Sequence, residues 1–500
     1  MKLQTLITAL PEKDIHGATD IDITAIAVHS QKAGPSSLFV AVPGHSVDGH
    51  RFIEDAYRRG ARAFVTQRPC PLPGAANIIV PDSRAALSAL AAALYRQPSQ
   101  QLALVGITGT NGKTTTAYLI EAMIRESGST AGLLTTIEYR CSAQSRAAER
   151  TTPDQSELQH MLRDMVDAGA RYAVMEVSSH GLDQRRVEGC HFDAAVFTNL
   201  SPEHLDYHGT IDEYYRSKER FFTEVLPQSS KANTAAIINQ DDPRGKQLMR
   251  TAPCRTISFG LQQGDVHAEN MQLSLAGITA DCVAGSRRFR ISSRLIGTFN
   301  LYNLLGAAAA ALHLGIPEQA IQAGIENMRG VPGRMERIET DRGITVFVDY
   351  AHTADALDNV LRTLKGSGAE TIISVFGCGG DRDRGKRPAM GAVAAKHSTA
   401  VIITSDNPRS EDARQIIAAI EPGLTAQGSR KAASAAQARQ AQGSYCIIAD
   451  RREAIAAGIN AAASGDVVLI AGKGHETYQQ VGTERRHFDD REEARQALSA

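Results

Sequence analysis

LVGITGTNGKTTTAYLIEAMI, residues 104–124, is the stretch that decides the fold of this 500-residue chain. Its apolar, β-branched start predicts a buried strand, a glycine-spaced loop follows, and a helical pattern begins near Thr114. Because glycine tolerates positive φ, we expect Gly106, Gly109 and Gly112 to let the backbone approach a ligand closely. Successive N–H groups and the helix N terminus can then face a polyphosphate.

The same stretch predicts an ATP site that also uses Mg²⁺. Lys113 is expected to reach the β and γ phosphates, and the Thr114 hydroxyl is suited to Mg²⁺. The strict phosphate-loop spacing requires glycine where this chain has Ile107, so a plain glycine-rich turn is the alternative. The complete order of strand, loop, Lys-Thr pair and helix favours the nucleotide site. The predicted ATP-binding residues here are Gly109, Thr110, Asn111, Gly112, Lys113, Thr114 and Thr115.

The bulk composition predicts a globular protein of a reducing compartment. Lys and Arg number 54 against 55 Asp and Glu, so broad attraction to nucleic acids or anionic membranes is not expected. The seven scattered cysteines contain no CxxC pair and favour neither a disulfide framework nor a thiolate zinc site. The first apolar patch ends at Pro11, and later apolar runs are shorter than a membrane span. We therefore expect a cytoplasmic protein without membrane insertion. A monomer is a separate expectation that does not follow from the composition.

The chain predicts three α/β domains. Three short β-like runs, at 36–42, 61–67 and 77–80, and an Ala-rich helix predict a small domain over residues 1–95. Four buried-type strands, at 102–108, 172–179, 193–201 and 235–240, alternate with helix-length segments and predict a doubly wound parallel sheet for the central domain, residues 96–331. A new series of four such runs, at 344–350, 371–377, 399–406 and 465–474, predicts a Rossmann-like domain over residues 332–500. Within the central domain, polar and apolar residues alternate over 255–296, which predicts an antiparallel appendage.

Further motifs follow in order through nearly the whole chain. They are TTPD (151–154), MEVSSHGLDQRR (175–186), TNLSPEHLDYHGT (198–210), GTFNLYN (297–303), PGRMER (332–337), VDYAHT (348–353), GCGGDRDRGKRPAMG (377–391), DNPR (406–409) and AGKGHE (471–476). With TGTNGKTTT at 108–116, this series resembles the Mur ligases, which add amino acids to the peptidoglycan precursor. The ATP loop alone also resembles that of folylpolyglutamate synthetases.

The resemblance implies a reaction and its partners. The glutamyl carboxylate of UDP-N-acetylmuramoyl-L-alanyl-D-glutamate attacks the γ phosphate of ATP, and the amine of meso-2,6-diaminopimelate converts the acyl phosphate into an amide. Because anions must meet, cations and helix N termini are expected to stabilise phosphoryl transfer. The family also implies a second Mg²⁺ held by Glu176, His204 and Lys218, the last carbamylated by CO₂. With Lys113, these three form the expected catalytic set.

Each catalytic residue outside the loop also has an ordinary explanation. Glu176 ends a predicted strand, where a carboxylate can face solvent or cap the next segment. His204 fits a hydrogen-bonded loop histidine. Lys218 lies in IDEYYRSKERFF, residues 211–222, whose periodicity alone predicts a solvated surface lysine.

The nucleotide contacts outside the loop come from the resemblance. It places Asn303 of GTFNLYN beside the nucleotide, and it assigns Arg334 and Asp349 to adenine and ribose. The alternatives are that Asn300 and Asn303 cap a helix and that Arg334 and Asp349 form surface pairs.

The resemblance also assigns the second substrate. The predicted contacts of the UDP-muramoyl dipeptide are Val28, Ser30, His45, Ser46, Val47, Thr151, Thr152, Ser178, Gln184 and Arg186. The family's Asp-Ser-Arg is replaced by His29, Ser30 and Gln31 in this chain, so the acidic and the basic side chain of that family motif are absent here. Loop polarity is the alternative explanation for Ser30 and His45.

DNPR is the motif that selects the amino acid. Diaminopimelate carries a distal carboxylate that Arg409 can pair with bidentately, whereas lysine ends in an ammonium that Arg409 would repel. Asp-Asn-Pro also favours a β-turn, which would position the arginine. The resemblance also assigns Glu476 to this site, where its carboxylate is suited to bind the distal amine of diaminopimelate. The full predicted set is Arg382, Asp406, Asn407, Pro408, Arg409, Gly472 and Glu476.

Three other functions compete with this one. A folylpolyglutamate or cyanophycin-type ligase shares the ATP loop but is not expected to carry DNPR with the N-terminal UDP segment. A phosphate-loop switch protein would release phosphate without an added amino acid. A nucleic-acid ATPase is disfavoured because the net charge is near zero.

Overall fold

The computed structural model describes residues 1–44, 47–142 and 144–500, and divides into two compact units. The first unit contains Met1–Ala268, Cys282–Phe289 and Tyr302–Ile325. The second contains Glu269–Asp281, Arg290–Leu301 and Glu326–Ala500. The domain boundaries predicted after residues 95 and 331 stay a prediction. Within the described ranges, no helix combines the length and apolarity needed to cross a membrane.

The first unit begins with a five-stranded sheet, and all three runs predicted as strands form in it. The strands are β1 (Asp14–His16), β2 (Ala25–Ala27), β3 (Ser37–Val40), β4 (Ala63–Thr66) and β5 (Ala76–Ile79), in the order β1-β5-β4-β3-β2. The helices are α1 (Leu3–Leu6), α2 (Ile53–Arg58) and α3 (Ser83–Leu94), the predicted Ala-rich helix. Asp82 caps α3 by accepting bonds from the N–H groups of Arg84 and Ala85.

The sheet that follows has eleven strands. They are β6 (Ala103–Thr108), β7 (Ala131–Leu134), β8 (Glu138–Cys141), β9 (Gln144–Ala147), β10 (Tyr172–Glu176), β11 (Ala194–Phe197), β12 (Ala235–Asn239), β13 (Thr256–Gly260), β14 (Val266–Ser274), β15 (Gly277–Ala284) and β16 (Arg287–Ser293). Their order is β16-β15-β14-β13-β12-β11-β6-β10-β7-β8-β9. Strand β6 pairs in parallel with β10 on one side and β11 on the other. The chain order therefore reverses around β6, the place where ligands bind in open α/β sheets.

The helices that connect these strands follow the expected crossover pattern. They are α4 (Lys113–Glu126), α5 (Gln155–Asp167), α6 (Ser179–Asp183), α7 (Leu205–His208), α8 (Ile211–Arg220) and α9 (Pro243–Thr251). Two more helices, α10 (Thr298–His313) and α11 (Glu318–Asn327), follow β16. Helix α8 runs directly into a π-helical turn, Phe221–Val225. Phe221 lies under β6, because a Cβ built on Gly106 would be 2.4 Å from Phe221 Cζ.

One sequence prediction about the central sheet is wrong, and another is only partly right. Gly106 has no positive φ; it lies within β6 and is required because the aromatic rings of Phe192 and Phe221 fill the space of a side chain. The antiparallel appendage predicted over 255–296 is wrong for its first strand, since β13 pairs in parallel with β12 and extends the main sheet. The later strands β14, β15 and β16 are consecutive neighbours joined by two residues each, which is the connection of antiparallel hairpins. Alternation along 266–293 reflects strands that are buried on one face.

The second unit is built on a seven-stranded sheet. Its strands are β17 (Glu336–Ile338), β18 (Thr345–Asp349), β19 (Ile372–Phe376), β20 (Ala400–Ile403), β21 (Arg430–Lys431), β22 (Ser444–Ile447) and β23 (Val467–Ala471), in the order β17-β18-β23-β19-β20-β22-β21. Strands β18, β23, β19, β20 and β22 are parallel neighbours. The four runs predicted as strands here all form, at β18, β19, β20 and β23.

Helices cover this sheet, and a two-stranded hairpin follows it. The helices are α12 (Ala354–Gly366), α13 (Lys386–His397), α14 (Ala413–Ala426), α15 (Ala435–Gln440), α16 (Arg451–Ala461) and α17 (Asp490–Ser499). The hairpin consists of β24 (Tyr478–Val481) and β25 (Glu484–His487). The loops after β19, β20 and β23 carry the GCGGDRDR, DNPR and AGKGHE motifs to one edge of the sheet.

Candidate active site

The loop between β6 and α4 takes the shape that the sequence predicts at two of its glycines. Gly109 has φ of +145° and Gly112 has φ of +87°. A Cβ on Gly109 would lie 1.9 Å from Thr198 Oγ1, and a Cβ on Gly112 would lie 2.2 Å from Asn303 Oδ1. Both positions therefore require glycine for its φ and for close contact. Asn303, predicted beside the nucleotide, does lie against the loop.

The loop is fixed to the end of β11. The Thr110 N–H donates to Asn199 O at 2.8 Å, and the Asn111 N–H donates to Asn199 Oδ1 at 3.0 Å. Thr198 Oγ1 donates to Asn111 O at 2.7 Å. Two loop N–H groups are therefore already engaged, and the first N–H groups of α4 have no partner within their own helix. The sequence prediction did not include Asn199, although it lies in the TNLSPEH motif.

Two lysine side chains converge on one carbonyl oxygen of the loop. Lys113 Nζ and Lys218 Nζ each donate to Gly109 O at 2.9 Å, and Lys113 Nζ also donates to Thr110 O at 2.7 Å. Lys218 is only 1% exposed. Burial, and secondly the Lys113 ammonium, lower the pKa of Lys218 well below its ordinary value.

The structure therefore contradicts the prediction, made from helical periodicity, that Lys218 is a solvated surface residue. Helix α8 is amphipathic, but Lys218 lies on its buried side with Tyr214 and Ser217. Its Nζ stands 4.4 Å from the centre of the Tyr214 ring. Lys218 therefore reaches the loop although burying its amine costs free energy.

Glu176 is held at the carboxyl end of β10 and is 1% exposed, so the solvent-facing alternative is wrong. Its Oε1 accepts from Thr114 Oγ1 at 2.8 Å and from the Thr136 N–H at 2.9 Å. Its Oε2 accepts from Thr136 Oγ1 at 3.0 Å. The structure thus brings together two predicted metal ligands, Thr114 and Glu176. Thr136, which orients the carboxylate twice, was absent from the sequence prediction.

His204 lies one residue before α7 and has a positive φ of 55°. Its ring packs edge-on against His180, with centroids 4.9 Å apart, and against Tyr214 at 6.1 Å. Tyr214 therefore touches both His204 and Lys218. Over residues 1–44, 47–142 and 144–500, no cluster of three or more His, Cys, Asp or Glu residues is arranged to hold a metal ion.

The predicted contacts of the dipeptide form one network beside Glu176. Thr152 Oγ1 donates to Glu176 O at 3.0 Å, and the Ser178 N–H donates to Thr152 Oγ1 at 2.9 Å. Arg186 donates to Thr152 O at 2.8 Å and to Gln184 Oε1 at 3.1 Å. Thr151 joins through Thr136 Oγ1 at 3.1 Å. The structure therefore groups all five residues named for the peptide arm.

The predicted uridine contacts are less complete. Ser30 is buried and forms a side-chain hydrogen bond with Asp55, which is the first cause of the lowered pKa of that carboxyl. Val28 is half-buried against the core of the first sheet, whereas Val47 is exposed. His45 and Ser46 lie outside the described residues.

In the second unit, Arg334 and Asp349 do not form a surface pair. Asp349 is buried, and its two oxygens accept bonds from the N–H groups of Met335 at 2.7 Å and Ala351 at 2.8 Å. Burial raises the pKa of Asp349, and Arg334 opposes that rise. The Arg334 guanidinium instead stacks 4.8 Å from the centre of the Tyr350 ring. Asn300 lies inside α10 and donates to Ile296 O at 2.9 Å, so it does not cap the helix.

The residues predicted for the amino acid also cluster. Arg409 has φ of 51°, and its Nη1 donates to Gly380 O at 2.8 Å. A Cβ on Gly379 would lie 2.9 Å from that nitrogen and 3.9 Å from Arg382 Cγ, so both arginines flank this glycine. Asn407 Nδ2 donates to Glu476 Oε2 at 2.8 Å.

The other members of that set complete the turn. Asp406 Oδ1 accepts from the Asn407 N–H at 2.6 Å, and a Cβ on Gly472 would be 2.8 Å from Asp406 Oδ2. The Pro408 carbonyl oxygen lies 1.9 Å from where a Cβ on Gly380 would stand. One buried side chain at the centre of the cluster, Lys473, was not predicted.

Comparisons with known proteins match this arrangement. Residues 22–95 match the Mur ligase family catalytic domain, residues 107–311 the Mur ligase middle domain and residues 333–474 the Mur ligase glutamate ligase domain. A protein of Geobacter metallireducens named UDP-N-acetylmuramoyl-L-alanyl-D-glutamate--2,6-diaminopimelate ligase is 46% identical, over 100% of this chain and 98% of the relative. The protein of the same name from Geobacillus thermodenitrificans is 42% identical, over 100% and 99%.

A solved structure points to the same family. It is described as a UDP-N-acetylmuramoyl-L-alanyl-D-glutamate--2,6-diaminopimelate ligase, is 34% identical, has a TM-score of 0.72, and covers 100% of this chain and 99% of its own. These similarities confirm the predicted three-domain α/β architecture and the predicted ligase class. The chain belongs to the Mur ligase family.

Proposed function

We propose that this protein is an ATP-dependent ligase of peptidoglycan synthesis. It joins meso-2,6-diaminopimelate to the D-glutamate of UDP-N-acetylmuramoyl-L-alanyl-D-glutamate. The full-length relatives carry the name of that reaction. We further propose that it works in the cytoplasm.

The observation that carries the choice of amino acid is the turn of residues 406–409. Two opposite charges lie at this turn. Arg409 is part of the turn, and Asn407 of the turn is hydrogen-bonded to Glu476. Diaminopimelate has a distal carboxylate for the arginine and a distal ammonium for the glutamate. Lysine offers only the ammonium and leaves the guanidinium without a partner, so the turn discriminates against it.

The chemistry proceeds in two displacements. An oxygen of the glutamyl carboxylate attacks the γ phosphorus of ATP, and ADP leaves. The amine of diaminopimelate then attacks the acyl carbon, loses a proton and expels phosphate. The product is the amide. The Lys113 ammonium and the N–H groups that open α4 oppose the negative charge that builds up in the first step.

The donor set of this site fits Mg²⁺. Thr114, predicted for the Mg²⁺ of ATP, and Glu176, predicted for the second Mg²⁺, supply hard oxygen donors that lie 2.8 Å apart. Mg²⁺ commonly binds few protein ligands besides phosphate oxygens. When bound, Mg²⁺ neutralises charge on the phosphates. Thr136 donates one hydrogen bond to each oxygen of the Glu176 carboxylate, which would keep that carboxylate in place for the ion.

A carbamate on Lys218 would supply a further acidic oxygen ligand. The lowered pKa favours a neutral amine, and only the neutral amine can attack CO₂ and lose a proton to give the carbamate. His204 and Lys218 both lie against the ring of Tyr214. These contacts support the proposal that Glu176, His204 and modified Lys218 hold the second ion.

We expect removal of CO₂ to lower ligase activity and added bicarbonate to restore it. Lys218→Ala should lower ligase activity at least about 10–100-fold, since removal of even an outer-shell group of a metal site has that effect. Isotopically labelled bicarbonate should give a carbamate carbon signal in the NMR spectrum of the wild type that Lys218→Ala lacks. The exposed Lys246 provides the matched control Lys246→Ala. Equal activity with and without CO₂ would count against the carbamate.

We expect Arg409→Ala to raise the KM for diaminopimelate about 10–100-fold, because one charged hydrogen-bonded pair of about 1.5–3 kcal/mol is lost. The KM for ATP should stay within a small factor. Steady-state kinetics with each substrate varied in turn measures both. The control is Arg414→Ala, an exposed arginine in the first turn of α14. Equal, small effects on both constants would argue against this role.

One assay tests the function as a whole. Purified protein receives ATP, Mg²⁺ and the UDP-dipeptide with either diaminopimelate or lysine, and mass spectrometry identifies the product. The proposal expects the UDP-tripeptide with diaminopimelate and little product with lysine. Phosphate release without any amino acid would instead favour a switch protein, and product with folate or cyanophycin acceptors would favour the other ligases.

A further inference from the structure

Lys473 is a fully buried lysine that is not among the predicted contacts of ATP, the UDP-dipeptide or diaminopimelate. It is 0% exposed and lies in the loop after β23. Its Nζ donates to Asn407 Oδ1 at 3.2 Å, to Glu476 Oε2 at 3.3 Å and to the carbonyl oxygen of Tyr478. A buried charge is retained only when it is paired and hydrogen-bonded, and these three oxygens meet that need.

These bonds join three segments at one point. Asn407 belongs to the turn that carries Arg409, Glu476 to the AGKGHE loop, and Tyr478 begins the β24–β25 hairpin. The hairpin in turn holds Arg409, because the Arg409 N–H donates to Gln480 O at 3.1 Å and the Gly482 N–H donates to Arg409 O at 2.6 Å. Lys473 therefore connects the proposed site for the distal carboxylate with the proposed site for the distal ammonium.

The same contacts fix the orientation of two polar groups. Asn407 Oδ1 accepts from Lys473 and from the Gln480 N–H at 2.9 Å, so its Nδ2 must point to Glu476. The bonds from Lys473 and from Asn407 Nδ2 both end on Glu476 Oε2. Glu476 Oε1 is then the oxygen presented to an incoming ammonium.

We propose that Lys473 is a positioning residue for the amino-acid substrate, one that orients Asn407 and Glu476 so that Glu476 Oε1 and Arg409 grip diaminopimelate together. This inference rests on the proposed function. Without the ammonium, Asn407 Oδ1 and Glu476 Oε2 lose their shared donor, and the carboxylate is no longer held at a set distance from Arg409.

The test is Lys473→Met, which keeps the length of the side chain and removes the charge. We expect the KM for diaminopimelate to rise about 10–100-fold, with the KM values for ATP and the UDP-dipeptide nearly unchanged, because only the supporting shell of one site is altered. Lys431→Met is the matched control, since Lys431 is an exposed lysine on β21 of the same sheet.

A double variant separates positioning from a general structural role. If Lys473 acts through Glu476, Lys473→Met combined with Glu476→Gln should raise the KM for diaminopimelate no further than the more severe single change. Effects that multiply, or equal rises in all three KM values, would overturn the proposal. Should Lys473→Met fail to fold, Lys473→Gln replaces it, because glutamine keeps a neutral donor. The same rise in the KM for diaminopimelate alone is then expected. Absence of any tripeptide with the wild-type protein would overturn the proposed function instead.

Discussion

Replacing Lys113 with methionine is expected to lower the rate of tripeptide formation about 10²–10³-fold, the effect of removing one preorganised donor from a site of developing negative charge. In the structure the Lys113 ammonium is bonded to two loop carbonyls, Gly109 O and Thr110 O. We expect the phosphates of ATP to compete for that ammonium. Rapid-quench measurement of acyl phosphate formation and steady-state product analysis together report the loss.

The Lys113→Met variant needs a control for an indirect effect on Lys218. Because the Lys113 ammonium helps to lower the pKa of Lys218, removing it should raise that pKa and disfavour the carbamate. The carbamate signal of the variant must therefore be measured, and excess bicarbonate supplied during the assay. Lys246→Met, on the exposed side of α9, should keep wild-type activity. An undiminished rate for Lys113→Met would remove Lys113 from the proposed mechanism.

Sequence predicted the elements of the phosphate site well because strand, loop and helix are all local. Periodicity identifies β6, glycine spacing identifies the loop, and the Lys-Thr pair marks the start of α4. All four strands that the sequence predicted at the centre of the doubly wound sheet, β6, β10, β11 and β12, also form. Runs of buried-type residues are a strong signal for a parallel sheet.

Tertiary environment is what the sequence could not supply. The periodicity of α8 predicts Lys218 as a surface residue, yet its side chain is buried against Gly109 of the loop, 109 residues earlier in the chain. Gly106 looked like a loop glycine, whereas its small size serves the packing of Phe192 and Phe221. Likewise, the alternating pattern after residue 255 cannot distinguish a separate hairpin from strands that extend a sheet. Only the resemblance identified Lys218 as functional.

Arg451→Met is expected to lower the free energy of unfolding by about 3–5 kcal/mol, because it leaves the Asp490 carboxylate buried without its partner. The side chains of Arg451 and Asp490 are both 0% exposed. Arg451 Nε and Nη2 donate to the two Asp490 oxygens, each at 2.7 Å. The guanidinium also donates to Ser405 O at 3.3 Å and to Ala471 O at 3.0 Å.

Those two carbonyls directly precede Asp406 and Gly472, so the pair supports both loops of the proposed amino-acid site. Urea denaturation followed by circular dichroism measures the stability loss. The double variant Arg451→Met with Asp490→Leu removes both charges and should lose far less than Arg451→Met alone. Arg486→Met is the control, since its pair with Glu484 is exposed and contributes little. If single and double variants lost the same stability, the unpaired Asp490 charge could not be the cause, and the loss would have to come from the bonds to Ser405 and Ala471.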